Sequence, residues 1–429
     1  MIVLDHLYGP IDVPDYLIPI INTPEVQRLR DVRLINIFSN TLASLSEARR
    51  FAHSLGVLGL FLFLKPRLVV GKIVDEEVIR SIEVACLVHD VATPAFGHLL
   101  EYQLRQRFGW HHETQLDSII RGTYRPENIH HQIYYGNQLK LHQRIRHLGL
   151  DPDFVCSLVK GEGELGKLIS GSIDLDNVDS VFRMHSLLGL GWYPWIPKAI
   201  VSVMVADGVG VAFNESGLDS IMAWIEARRR AYEVLVFNED TVAGQAMLSN
   251  CFDMALDRGY LGPERWHLTD EQMLIHLLRF KETRTAVKRL TVGDVYTTLS
   301  LGWYDFDDKV AARLRHSGER RTLESDLQSE LELPVILYCF EDKGSFSKEL
   351  NLQVVDERGR RQPRKVASNS SSMVIGAFSR TRPRSRDEGR WERVVAAFLE
   401  AQGLDQSLRR KIPEVRCIYG LDYQERFRL

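Results

Sequence analysis

The stretch Ala85-Cys86-Leu87-Val88-His89-Asp90-Val91-Ala92-Thr93-Pro94 says most about the fold and chemistry of this chain. Neighbouring residues of a regular helix point about 100° apart, so His89 and Asp90 can reach one metal ion only where a helix ends. Pro94 and the small residues before it predict such an end. A His-Asp dipeptide on its own is more often an incidental surface or capping pair, so the rest of the sequence has to support a metal site.

Further histidines and aspartates provide that support. His53 lies upstream, and the run Asp174-Leu175-Asp176-Asn177-Val178-Asp179 lies downstream. Two imidazoles and two carboxylates suit a divalent ion such as Mn²⁺, Fe²⁺, Zn²⁺, Ni²⁺ or Mg²⁺. An ion with open positions activates water and polarises a phosphoryl oxygen, so the pattern predicts hydrolysis of a phosphoester or phosphoanhydride.

The order of these motifs resembles the HD-domain metal-dependent phosphohydrolases, and in particular their deoxynucleoside triphosphate (dNTP) triphosphohydrolase branch. The similarity lies in residues 23–30, 50–57, 89–90, 96–98 with 110–113, and 171–176, and extends over about residues 5 to 255. It implies a mainly α fold and one divalent metal per chain, with His53, His89, Asp90 and Asp176 as ligands. Asp174 is the alternative for the last ligand.

The resemblance also implies roles for residues beside the metal. His98 and His112 match histidines that transfer protons, and Glu101 follows His98 by one helical turn, where it can orient the imidazole. Arg50 precedes His53 by three residues, so on a helix it shares that face and can meet a phosphate. Arg228, the first residue of Arg228-Arg229-Arg230, matches a phosphate-binding arginine. The simpler interpretations are a capping or core histidine at 98 and a solvated charged face at 229–230.

Several positions differ from the dNTP-hydrolysing branch. They are Thr93 in place of a histidine, Leu34 in place of a glutamine, Ser180 and Met184 in place of a tyrosine and an aspartate, and Asn238-Glu239 in place of a His-Lys pair. The apolar and small replacements remove groups that would hold a deoxyribose. Glu239 is expected to place negative charge near a polyphosphate tail. We therefore predict that the substrate is a nucleotide or another phosphorylated small molecule, and that dNTPs are poor substrates.

Two other functions stay open at this point. A phosphodiesterase or nuclease could use the same metal on RNA or DNA, with phosphate contacts from the arginine-rich residues 358–393, although a solvated edge explains these arginines more simply. A binding or assembly protein that has lost catalysis would account for Thr93 and Glu239. A second histidine patch, made of His130, His131, His142 and His147, is better explained as a solvated helix face.

Composition limits the class of protein. The 429 residues carry a formal net charge of −3 and are 45% hydrophobic and 26% charged, which is ordinary for a globular protein and argues against a dedicated nucleic-acid coat. Five scattered cysteines without a CxxC pair indicate reduced thiols. The start lacks a signal-peptide pattern, and the apolar run from Val57 to Leu64 is too short to span a bilayer. We expect a cytoplasmic protein that does not bind membranes.

Hydrophobic periodicity predicts helix over most of residues 15–290, with the clearest pattern at 219–256 interrupted at Asn238-Glu239-Asp240. Residues 200–205 with 208–211 are expected to form a hairpin, 335–340 and 350–355 strands, 368–372 an exposed loop and 391–401 a helix. We predict a helical HD-type domain at 1–290 and a small α+β lobe at 291–429.

The resemblance also implies a homo-oligomer, a dimer or a tetramer. Gln27 and Arg30 match positions that, in some members of the family, bind an activating nucleotide between subunits. The alternative is that both side chains pack within one chain.

Overall fold

The computed structural model describes residues 1–36, 39–70, 75–124, 139–191, 195–207, 210–342, 350–367, 371–381 and 388–413. In these residues the protein is mainly α-helical with small sheets, so the predicted fold class is confirmed. The α-helices are α1 Ile18–Ile21, α2 Pro24–Arg28, α3 Ala43–Ser46, α4 Arg50–Val70, α5 Glu76–Val88, α6 His98–Phe108, α7 His112–Arg121, α8 Leu141–His147, α9 Pro152–Val159, α10 Gly163–Gly166, α11 Leu175–Leu187, α12 Trp195–Ser202, α13 Leu218–Phe237, α14 Glu239–Asp257, α15 Asp270–Leu278, α16 Lys281–Thr291, α17 Asp308–Arg315, α18 Ser317–Leu331 and α19 Glu388–Ala401. The strands are β1 Ile2–Asp5, β2 Gly9–Asp12, β3 Met204–Asp207, β4 Gly210–Asn214, β5 Thr297–Asp305, β6 Val335–Asp342, β7 Leu350–Val355, β8 Arg361–Ala367, β9 Ser372–Ser379 and β10 Arg409–Arg410.

Helix α5 carries the chain to the His-Asp pair. Glu76 and Glu77 lie in its first turn, where carboxylates interact favourably with the helix dipole. Its residues from Ser81 to Val88 are buried, and the helix ends at Val88 with His89 as the C-cap. The predicted helix end is therefore confirmed, and His89 and Asp90 lie in the turn that follows.

Helix α4 crosses the core beside α5 and is longer than the apolar run seen in the sequence, because it continues through Pro66. The window Arg50–Leu68 has a mean hydropathy of 1.2, so by length and composition alone it could cross a membrane. However, 56% of this window is buried inside the protein, and core helices of soluble proteins pass the same test. Gly59 brings the helix so close to the Ile11 side chain that an added Cβ would lie 2.8 Å from it.

Strands β10, β5, β9 and β6 form an antiparallel sheet in that order. Every residue of β9 is buried between its two neighbours. The sequence predicted an exposed loop at 368–372, and this was wrong at Ser372, which is buried and begins β9; residues 368–370 lie outside the described residues. Pairing on both edges buries a segment that the serine-rich composition places at the surface.

The second sheet has the order β3-β4-β7-β8, with β4 and β7 parallel. The predicted hairpin is present but begins later than expected, because residues 195–202 form α12 and bury Ile200 and Val201 against the core. The parallel pairing of β4 with β7 joins the β3–β4 hairpin, which lies in the predicted domain 1–290, to the β7–β8 hairpin, which lies in the predicted lobe 291–429. The boundary between the two predicted domains stays a prediction.

Candidate metal centre

Four side chains from three elements meet below a cavity of about 300 Å³. His53 lies in the first turn of α4, His89 and Asp90 follow α5, and Asp176 lies in the first turn of α11. One ligand atom each from His53, His89 and Asp90 can be chosen so that all lie within 4.8 Å of one another. Asp176 Oδ1 lies 2.9 Å from His53 Nε2 and 3.9 Å from His89 Nε2. These four residues, named the ligand set below, are the predicted metal ligands.

The two imidazoles of the ligand set are oriented by hydrogen bonds on their far sides. His53 Nδ1 donates to Asp179 Oδ2 at 2.7 Å, and His89 Nδ1 donates to the Cys86 carbonyl at 2.9 Å. Both Nε2 atoms then face the same space, 3.2 Å apart. Two nitrogens that each lie about 2.1 Å from one ion can be up to about 4.2 Å apart, so this separation fits a shared metal. His53, His89 and Asp90 form a candidate site for a divalent ion, and the donors do not fix its identity.

Asp90 is held by two donors. Arg50 Nη1 lies 2.8 Å from both carboxylate oxygens, and the Thr93 hydroxyl donates to Oδ1 at 2.9 Å. Burial alone would raise the pKa of Asp90, but Arg50 and the neighbouring histidines outweigh it and hold the pKa well below its usual range. Arg50, which the sequence predicts to bind phosphate, lines the cavity and forms an ion pair with Asp90. Thr93 stands where the dNTP-hydrolysing branch has a histidine, and in this protein its hydroxyl orients the predicted ligand Asp90.

Hydrogen bonds also control the charge of His53. Burial lowers the pKa of this imidazole, but its contacts with Asp176 and Asp179 outweigh burial and raise the pKa to about 10. Asp176 shows the reverse balance, since burial raises its pKa and the two histidines bring it below the usual range. A metal binds the neutral imidazole, so metal binding through His53 Nε2 must release a proton.

Asp174, the alternative last ligand, caps α11. Its carboxylate accepts hydrogen bonds from the backbone amides of Asn177 at 2.6 Å and Gly171 at 2.7 Å, and from the Asn177 side chain. This N-cap starts the helix whose first turn presents Asp176 to His53. The geometry therefore favours Asp176 over Asp174 as a ligand.

His98, Glu101 and His112 form a triad at the cavity wall. His98 Nδ1 donates to Glu101 Oε2 at 2.9 Å, and His112 Nδ1 donates to Glu101 Oε1. Glu101 is buried, His112 is 38% exposed and His98 is 75% exposed. Burial would lower the pKa of His112 and raise that of Glu101. The hydrogen bonds between them reverse both directions, so the pKa of His112 is raised and that of Glu101 is lowered.

The rest of the cavity wall mixes apolar and polar side chains. It includes Leu34, Ser180 and Met184, the three replaced positions that the sequence assigned to the sugar. The other residues that line it outside the ligand set and the triad are Arg50, Thr93, Glu113, Leu116, Val159, Lys160, Ile169, Ser170, Asn177 and Tyr232. The three replaced positions therefore offer one hydroxyl group, that of Ser180, in place of the glutamine, tyrosine and aspartate of the dNTP-hydrolysing branch.

Two predicted charged residues do not line this cavity. Arg228 lies behind the wall, with its guanidinium 4.7 Å from the Tyr232 ring centre and 3.5 Å from Asn177 Oδ1. Glu239 is exposed in the first turn of α14, just after the Asn238 cap. The expectation that Glu239 faces a polyphosphate tail is not supported by this position. Asn238 separates α13 from α14, and Glu239 is not among the described residues that line the cavity.

The sequence did not identify the support behind His53. Asp179 is fully buried and forms a two-bond ion pair with Arg183, and Arg183 also contacts Asp5 at 3.0 Å. Gly56 on α4 makes room for this pair, because an added Cβ would lie 2.0 Å from Asp179 Oδ1 and 2.3 Å from Arg183 Nη2. The spacing Asp176-x-x-Asp179 and the glycine three residues after His53 were the available signals.

A buried clamp holds the turn after α5. Arg28 donates to the carbonyls of Thr93 at 2.9 Å, His267 at 2.6 Å and Leu268 at 3.0 Å. Asp270 accepts from the Phe96 amide at 2.8 Å. Phe96 has a φ of +56°, a conformation that non-glycine residues rarely adopt. These contacts tie the segment that carries His89 and Asp90 to the start of α15.

Three other features of the sequence are the proposed activator site, the arginine-rich stretch and the second histidine patch. Arg30 donates to Gln27 Oε1 at 2.7 Å and lies 3.8 Å from the Phe51 ring centre, so both residues of the proposed activator site have partners within the chain. Arginines of the basic stretch pair internally, with Arg364 bonded to Glu215 and Arg360 to Asp356. His142 and His147 lie on α8, and His130 and His131 lie outside the described residues.

No family model matches the chain. It is 22% identical over 306 residues to an uncharacterized protein of Methanocaldococcus jannaschii, covering 70% of this chain and 59% of that protein. It is 32% identical over 127 residues to the deoxynucleoside triphosphate triphosphohydrolase SAMHD1 homolog of Dictyostelium discoideum, covering 26% of this chain and 23% of the relative. SAMHD1 of Gallus gallus is 33% identical over 118 residues. The chain resembles the HD-type phosphohydrolases.

A solved structure shares the fold of this chain. The crystal structure of a phosphohydrolase from Bacteroides thetaiotaomicron superposes with a TM-score of 0.66, covering 89% of this chain and all of that one. The sequence identity is 16%, so this likeness concerns the fold alone. The chain spans between a fifth and three-fifths of the length of the curated relatives it matches.

Proposed function

We propose that the protein is a metal-dependent phosphohydrolase that acts on a nucleotide or a related phosphorylated small molecule. The observation that carries this proposal is the convergence of His53 Nε2, His89 Nε2 and Asp90 in one cluster, with Asp176 Oδ1 2.9 Å from His53, at a cavity that also contains a His-Glu-His triad. The partial likeness to dNTP triphosphohydrolases supports the reaction class.

The ligand set would hold one divalent ion through His53 and His89 Nε2 and the carboxylates of Asp90 and Asp176. When bound, such an ion lowers the pKa of water and polarises a phosphoryl oxygen. Arg50 keeps Asp90 ionised and fixed, while Asp179 and Cys86 fix the two imidazoles. Arg50 also lines the cavity, so a substrate phosphate near Asp90 would lie close to its guanidinium.

The triad supplies the proton transfer in this proposal. Glu101 accepts from Nδ1 of both histidines, so Nε2 of each is the nitrogen left for exchange. Because the pKa of His112 is raised, its protonated form persists to higher pH, which suits a general acid that gives a proton to the leaving oxygen. His98 is more exposed and can exchange protons with solvent.

Product release across a substrate panel tests the proposal. The full chain, loaded in turn with Mn²⁺, Fe²⁺, Zn²⁺, Ni²⁺ or Mg²⁺, should release phosphate, pyrophosphate or triphosphate from at least one nucleotide or phosphorylated metabolite. Single-stranded RNA and DNA belong in the panel, because strand cleavage would instead indicate a nuclease. Stoichiometric metal without turnover on any compound would indicate a binding or assembly protein.

Within that panel we expect dNTPs to be poor substrates. Leu34 and Met184 line the cavity with apolar side chains, and the Ser180 hydroxyl donates to the Asn177 carbonyl at 3.3 Å, so these positions lack the glutamine, tyrosine and aspartate that would fix a deoxyribose. Hydrogen bonds to a substrate hydroxyl discriminate strongly between substrates. We expect kcat/KM for dNTPs to be at least about 100-fold below that of the true substrate, which corresponds to about 2.7 kcal/mol. Efficient release of triphosphate from dGTP or dATP would contradict this expectation.

The homo-oligomer is also part of the proposal. Light scattering at micromolar concentration, with and without added nucleotide, should give the mass of a dimer or a tetramer. A monomer under both conditions would exclude it, and it would agree with the packing of Gln27 and Arg30 within one chain.

A further inference from the structure

Lys160 lines the metal-site cavity and has no part in the mechanism above. It is the C-cap residue of α9, next to Val159, and it lies on the wall that includes Leu116 and Ile169. Its side chain is 24% exposed. Lysine side chains commonly pack their aliphatic part and keep the ammonium group accessible.

Lysine and arginine are scarce around the cavity. Among the described residues that line it, Arg50 and Lys160 are the two with permanently cationic side chains at neutral pH. Arg50 is engaged with both oxygens of Asp90, so its charge is matched by a member of the ligand set. Lys160 is paired with Asp117, outside the ligand set, and none of the described hydrogen bonds or ion pairs joins it to those ligands.

Asp117 holds Lys160 in place. Its Oδ2 accepts from Lys160 Nζ at 2.5 Å, and Asp117, on α7, does not line the cavity. The hydrogen bond raises the pKa of Lys160, so the residue is a cation throughout the neutral range. An ammonium group has three N–H donors, and Asp117 takes one of them, so the remaining donors can bind an anionic oxygen.

We propose that Lys160 binds a second phosphate group of the substrate, one that is not bound at the ligand set. This inference rests on the proposed function and narrows its substrate class to compounds with at least two phosphate groups. The preferred substrate then spans from the ligand set to the α7–α9 wall, with its apolar part against residues such as Leu116 and Met184.

Two probes separate this role from a general effect on the site. Isothermal titration calorimetry would measure the binding of pyrophosphate and of orthophosphate to the full chain in saturating Mg²⁺. Orthophosphate can occupy the ligand set alone, whereas pyrophosphate can reach both positions. Lys160→Gln should weaken pyrophosphate binding about tenfold, the usual size of one charge-assisted hydrogen bond, and change orthophosphate binding less than about twofold.

Three further variants sharpen the experiment. Lys160→Arg keeps the charge and should retain most of the pyrophosphate affinity. Asp117→Asn keeps an acceptor oxygen for Lys160 but removes a competing negative charge, so it should leave pyrophosphate binding equal or tighter, whereas a purely structural ion pair predicts that it behaves like Lys160→Gln. Lys167→Gln, an exposed lysine outside the cavity lining, is the matched control and should have no effect.

The inference is overturned if Lys160→Gln leaves pyrophosphate binding unchanged, or weakens both probes equally. It is also overturned if Asp117→Asn and Lys160→Gln lose the same affinity at unchanged melting temperature. The proposed function fails by a different result, namely wild-type protein that neither retains metal nor hydrolyses any compound in the panel. A hydrolase that prefers a substrate with a single phosphate would refute the role of Lys160 while leaving the reaction class intact.

Discussion

The ligand set and the His98–Glu101–His112 triad share one cavity, but the protein holds them in different ways. Both imidazoles of the ligand set have a fixed acceptor behind them, and Asp90 has Arg50 and Thr93. His98 and His112 share one buried carboxylate, and their imidazoles are far more exposed than those of His53 and His89. Ligand atoms that are already oriented suit a metal ion, since the site is already assembled. Accessible imidazoles on one acceptor suit proton exchange, since water can reach them.

The largest effect should come from breaking the ligand set. Asp90→Ala and Asp176→Ala should each remove bound metal and abolish hydrolysis, because carboxylate ligands are lost from the cluster. Elemental analysis of purified protein should fall from about one metal per chain to near zero. His147→Ala, an exposed histidine on α8, is the control and should keep full metal content. Full occupancy in Asp90→Ala would refute the assignment.

Breaking the triad should leave metal bound and slow the chemistry. His112→Ala should reduce kcat by about 10²–10⁴-fold, the usual contribution of a general acid or base. Metal content should match wild type, because His112 has no contact with the ligand set among the described hydrogen bonds and ion pairs. Wild-type turnover in both His98→Ala and His112→Ala would show that neither residue is a catalyst.

The triad should also determine the pH at which one limb of the pH–rate profile falls. Glu101 raises the pKa of His112, so the folded protein favours the protonated imidazole, and its stabilising effect is lost as pH rises through that pKa. Glu101→Gln removes the carboxylate, so the pKa of His112 should fall. The limb of the pH–rate profile that follows His112 should then move towards lower pH. NMR titration of the imidazole gives the same shift without a substrate, and an unchanged pKa would contradict the role of Glu101.

A smaller effect should come from the support behind the ligand set. Asp179→Asn keeps the side-chain shape but weakens the acceptor for His53 Nδ1, so metal affinity should fall about 10–100-fold. Gly56→Ala should act similarly by a different route, because its Cβ would clash with the Asp179–Arg183 pair. Gly59→Ala is the matched control on the same helix, where the Cβ would meet the movable Ile11 side chain. Metal titration ranks the three, and equal affinities for Gly56→Ala and Gly59→Ala would refute the supporting role.

The sequence by itself determined the helical class, the end of α5 at the His-Asp pair and the break at Asn238, because periodicity and local breakers act over a few residues. The order of the motifs also indicated the four proposed ligands and the triad. The sequence near each motif could not identify the residues that orient the ligands, since Asp179 is 126 residues from His53 and Arg50 is 40 residues from Asp90.

Only the tertiary structure decided which charged residues face the cavity. Glu239 and Arg228 are charged residues of the expected kind, but neither lines the cavity. Glu239 is exposed in the first turn of α14, and Arg228 contacts Tyr232 and Asn177, which do line it. Lys160 has no motif, yet the packing of α7 and α9 brings it to the wall. The burial of β9 likewise follows from strands on both of its edges. These positions depend on contacts between segments far apart in the chain, which residue spacing alone does not encode.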